Sequence, residues 1–100
     1  MVNKPKGPVY EVSEAVAVRA FAFIAADVER LGDFLAATGI GPDMIRKAAR
    51  DPAFLSGVLD YVAGDERLLV ACAKEIELTP EDIMRAQSVL SGGPHERDVP

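Results

Sequence analysis

From Val16 to Ala26 the only polar residue is Arg19. A helix apolar on nearly every face belongs in the middle of a bundle. Ser13 precedes this run as a cap, and Glu14 suits the positive end of the helix dipole. After Asp27, the residues Val28, Leu31, Leu35 and Thr38 recur at i, i+3, i+7 and i+10. They predict one stripe of a second helix, with Phe34 beside it. Gly39 ends that helix in the left-handed conformation, and Ile40 follows as its hydrophobic latch.

Four more starts follow. Gly41-Pro42 opens a short third helix reaching to Arg50, since proline at the first helical position leaves no amide hydrogen unpaired. Asp51-Pro52 opens a fourth, which carries Phe54, Leu55, Val58, Leu59 and Val62 and stops at Gly64. Asp65 caps a fifth, with Leu68, Leu69, Cys72 and Ile76 inward. Thr79-Pro80-Glu81-Asp82 opens a sixth with the outline of a capping box. No period-two segment and no Asn-Gly or Asp-Gly turn competes. The expected fold is all-α, a compact bundle of five or six short helices.

At the ends the pattern dissolves. Pro5, Gly7 and Pro8 with Lys4 and Lys6 predict a flexible arm over residues 1–12. Gly92, Gly93 and Pro94 predict a flexible tail over 92–100. The helical domain is then 13–91.

The punctuation repeats after about 38 residues, without a gap. Asp27 falls on Asp65, Leu31 on Leu69, Pro42 on Pro80, Ile45 on Ile83 and Ala48 on Ala86. Phe23 falls on Tyr61 and Ile40 on Leu78. The matches sit at caps and on apolar stripes, so two tandem three-helix units closing over one core are expected.

The stretches "LAATGIGPD", "DPAFLSGVLDY" and "GDERLL" carry a resemblance. Over residues 15 to about 90 the chain resembles a small family of uncharacterised helical proteins from alphaproteobacteria, catalogued as a domain of unknown function. The resemblance implies an all-helical fold and a bacterial cytosol. It implies no activity, cofactor or site residue.

Charge narrows the function classes. The formal net charge is −5, which repels phosphate backbones and anionic lipid heads. The densest apolar stretch, "AVAVRAFAFIAA", falls well short of the ~20 residues a membrane span needs. No secretory signal is visible, and Cys72 alone has no partner for an internal disulfide. These features together indicate a cytoplasmic protein.

Candidate chemistry is sparse. His95 is the sole histidine and stands in the tail, so no zinc spacing exists and Ser56, Ser88 and Cys72 lack an ordinary general base. The acidic pairs Asp65-Glu66 and Glu81-Asp82 stand at helix starts, where they satisfy amides and the dipole. No phosphate-cradling loop is present. The sequence therefore predicts no enzyme, no cofactor and no metal site.

Two binding readings stay open. In the first, the protein is an interaction module for another protein or for itself. Phe23 and Tyr61, at equivalent places in the two units, either reach a second layer of the core or surface as an aromatic contact patch. In the second, residues 28–50 form a helix-turn-helix-like pair whose Arg46, Lys47 and Arg50 meet DNA. Asp43 and Asp51 flank those bases and weigh against it, as does the overall charge.

Overall fold

The structure is a computed structural model and describes residues 8–48 and 51–92. Six α-helices follow one another: α1 (Pro8–Ala25), α2 (Val28–Thr38), α3 (Ile45–Ala48), α4 (Pro52–Ala63), α5 (Glu66–Glu75) and α6 (Pro80–Leu90). A 3₁₀ turn, Pro42–Met44, leads into α3. No strand occurs among the described residues. The fold is all-α, as the apolar periodicity requires.

At α2, α5 and α6 the capping chemistry acts where the sequence places it. The Asp27 carboxylate accepts from the amides of Glu29 and Arg30, at 2.9 and 3.2 Å. Asp65 accepts from Arg67 and Leu68 in the same way, at 3.1 and 3.2 Å. Thr79 and Asp82 exchange reciprocal bonds of 3.0 Å, a complete capping box despite the short aspartate. Those two amide bonds, Arg30 first, hold the Asp27 carboxyl below the ordinary aspartate range.

The first helix departs from expectation. It starts at Pro8, not at Ser13, so residues 8–12 of the expected arm are helical. Pro8 serves as a helix-start proline, like Pro52 and Pro80. Ser13 does not cap. It is buried inside the helix, and its hydroxyl donates back to the Val9 carbonyl at 2.8 Å. Residues 1–7 of the arm and 93–100 of the tail lie outside the described residues. The third helix also differs, opening as a 3₁₀ turn before α3.

The core is built on α1 and α4, which pack together, with α6 against both. Ala17 and Ala20 are fully buried and let the partner helices approach α1 closely. Val58, Leu59 and Val62 of α4 and Ile83 of α6 complete this layer. In α2 the inward stripe is displaced from the expected one. Val28 and Thr38 are exposed, and Phe34, only 1 % exposed, is the buried residue. Its ring meets those of Phe21, Phe54 and Tyr61 at 5.8, 6.0 and 5.1 Å between centroids. Such tilted and edge-on pairs match positive ring edges to negative faces.

The two expected trios start their second helices alike and differ in how their third helices pack. The helix-capping backbone at Asp27 (φ −126°, ψ 122°) nearly repeats at Asp65 (φ −128°, ψ 110°). Then α6 inserts against α1 and α4, burying Ile83 completely, while α3 stands off and leaves Ile45 half-buried. In the first trio it is Phe34 of α2 that reaches the neighbouring trio. A single helical turn offers too little apolar surface to compete with the long face of α6.

Candidate functional site

Two of the surface depressions are walled in part by α1. The first is a groove of about 370 Å³ between the N-terminal half of α1 and α6. Val9, Val12 and Val16 line one wall, and Ala86 and Val89 the other, with Leu78 preceding α6. Val9 and Val16 continue the face on which Ala20 is buried, so that face looks toward the core. Yet Val9 is 64 % and Val12 62 % exposed, because α1 runs on where the bundle no longer covers it. The polar members of the groove are Ser13, tied to Val9, and the Asp82–Arg85 ion pair at 3.1 Å. The signal was present in the sequence as Val9, Val12 and Val16 at i, i+3 and i+7. It was hidden because Pro5, Gly7 and Pro8 made that stretch read as an arm.

The second depression, about 450 Å³, lies between the C-terminal half of α1 and the end of α5. Arg19 and Arg30 both line it. Arg19 donates to the Ile76 carbonyl, and Arg30 Nη2 donates to the Phe23 carbonyl at 3.2 Å. Each guanidinium so satisfies an orphan carbonyl near a helix end. Sequence reading had no access to this meeting, since 57 residues separate Arg19 from Ile76.

The aromatics singled out by the repeat do not form a joint patch. Phe23 is 7 % exposed and lies under the Arg30 guanidinium, 4.0 Å from its centroid. Tyr61 is half-buried in the Phe34 cluster. Burial, with smaller contributions from the charges of Asp33 and Asp65, raises its hydroxyl above the usual tyrosine range. Arg46 and Lys47 are exposed on α3, while Arg50 lies outside the described residues, as does His95. Cys72 is fully buried, and burial pushes its thiol up to about 11. Among the described residues no three His, Cys, Asp or Glu side chains gather to hold a metal ion, and no helix is long and apolar enough to cross a membrane.

Residues 10–93, from the first turn of α1 to just past α6, match the family described as protein of unknown function (DUF3572). The chain belongs to the DUF3572 family. The match takes in both depressions except Val9, and every helix start after the first. No curated protein and no solved structure matches the chain.

Proposed function

We propose that this DUF3572 protein is a small, non-enzymatic interaction module of the bacterial cytosol, and that its α1–α6 groove receives an amphipathic helix of a partner protein. The observation that carries the reading is the exposure of Val9 and Val12 on the core-facing side of α1. An apolar trough walled by two helices suits the i, i+3, i+7 face of a third. Charge argues for a partner with basic flanks. The chain bears −5, so a second copy would bring like charge to the contact. The unpaired, buried Cys72 suits a reducing cytosol. The coincident caps at Asp27 and Asp65 support an internal repeat, one whose third members have diverged in packing. The helix-turn-helix alternative gains little support from α3, one turn long among the described residues.

Photo-crosslinking from position 12 in living cells tests this. The expected result is an adduct with a different protein, through a peptide with one apolar helical face and basic flanks. Val9→Lys should abolish it while leaving the helical circular dichroism unchanged, since Val9 is exposed. A self-adduct with doubled mass in light scattering would replace the partner with a second copy. Absence of any adduct would overturn the reading.

A further inference from the structure

We propose that the cleft between α1, α2 and α5 is a binding site for a small monoanionic carboxylate with an apolar body. Its size falls within the roughly 300–1,000 Å³ of ordinary small-molecule sites. Arg19 of α1 and Arg30 of α2 both line it, on a chain of net charge −5. Among the described residues no carboxylate pairs with Arg19, and its one hydrogen bond to Ile76 leaves most of its five donors unused. Arg30 bonds the Phe23 carbonyl and pairs with Asp27 at 3.8 Å from Nη1, while its Nε is buried without an acceptor. The Arg30 side chain keeps 35 % of its surface open, enough for its outer edge to meet a ligand.

Both guanidiniums are held in place before any ligand arrives. Arg19 is tethered to the end of α5, and Arg30 is stacked on Phe23 and bonded to its carbonyl. Pre-fixed forks bind a carboxylate at low entropic cost, and Arg geometry matches two carboxylate oxygens. The remaining wall is Ala22, Phe23, Ala26 and Ile76, which suits an apolar body. Glu75 also lines the cleft and sets an upper limit on ligand charge. Together with Asp27 it disfavours a dianion such as phosphate, and so selects a single negative charge.

The test is a nuclear magnetic resonance titration of the full chain with benzoate, neutral benzamide and inorganic phosphate in parallel. Benzoate should give saturable shifts at the amides of Ala22, Phe23, Ala26, Arg30 and Ile76. Benzamide should not saturate, and phosphate should bind more weakly than benzoate. Arg19→Gln should weaken benzoate about tenfold or more, the usual cost of a hydrogen bond to a charged group. Glu75→Gln should strengthen it. Arg19 and Glu75 are exposed, so neither variant threatens the fold. No saturable benzoate response, an equal response to benzamide, tighter phosphate, or indifference to Arg19→Gln would each overturn the proposal.

Discussion

Gly39 and Glu77 hold the same left-handed backbone, φ 75° and φ 63°, just after the ends of α2 and α5. At the first, the Gly39 amide bonds the Leu35 carbonyl at 2.8 Å. At the second, Leu78 bonds Ala73 at 2.8 Å and Glu77 bonds Lys74 at 3.2 Å, the paired bonds of a Schellman cap. Glycine adopts this conformation without strain, but glutamate brings its Cβ against the backbone.

Glu77→Gly should therefore stabilise the protein by about 0.5–1 kcal/mol, after the extra flexibility of glycine in the unfolded chain is subtracted. Gly39→Ala should cost about 1 kcal/mol. Opposite shifts in urea midpoint, followed by far-ultraviolet circular dichroism because the chain has no tryptophan, would establish both. A destabilised Glu77→Gly would mean that the glutamate side chain contributes something its position does not reveal.

Phe34 and Ile45 should differ sharply. Phe34→Ala removes the ring at the centre of three aromatic contacts and should cost about 3–5 kcal/mol. That is a large share of the ~5–15 kcal/mol available to a domain. Ile45→Ala, on the loosely packed α3, should cost well under half as much. Chemical denaturation of both variants gives the comparison directly, and similar losses would show α3 to be as integral as α2.

Cys72 should be inert in the folded state and should weaken the fold at high pH. Its thiol ionises near 9 when exposed and at about 11 when buried here. The stabilisation is whole below pH 9 and declines as pH rises from there toward 11, because only the unfolded chain then gains a thiolate. The loss should be on the order of 2 kcal/mol. Cys72→Ala should flatten that limb of the stability profile. A thiol reagent at neutral pH should label wild-type protein only as fast as it opens, and rapid labelling without unfolding would contradict the burial.

Much of this architecture was legible along the chain because starting and stopping a helix is local chemistry. Asp27 and Asp65 each reach amides two and three residues ahead, and Thr79 and Asp82 answer each other across one turn. The start of α1 departs from its local signals for a physical reason. Pro8 is a legal first helical residue, but crowding by Gly7 and Pro5 masked it, and Ser13 looked like a better cap than it is.

By itself, then, the sequence determined where most helices begin and end, that no strand forms among the described residues, and which faces are apolar, since each depends on residues within a turn or two. Only the tertiary structure decided that α6 and not α3 fills the core, that Phe34 displaces its neighbours as the inward residue, and that Arg19 and Arg30 line one cleft beside the end of α5. Those outcomes are competitions for shared space between segments far apart in the chain. They turn on how much apolar surface each contender can bury at once, a quantity that does not exist until the helices pack.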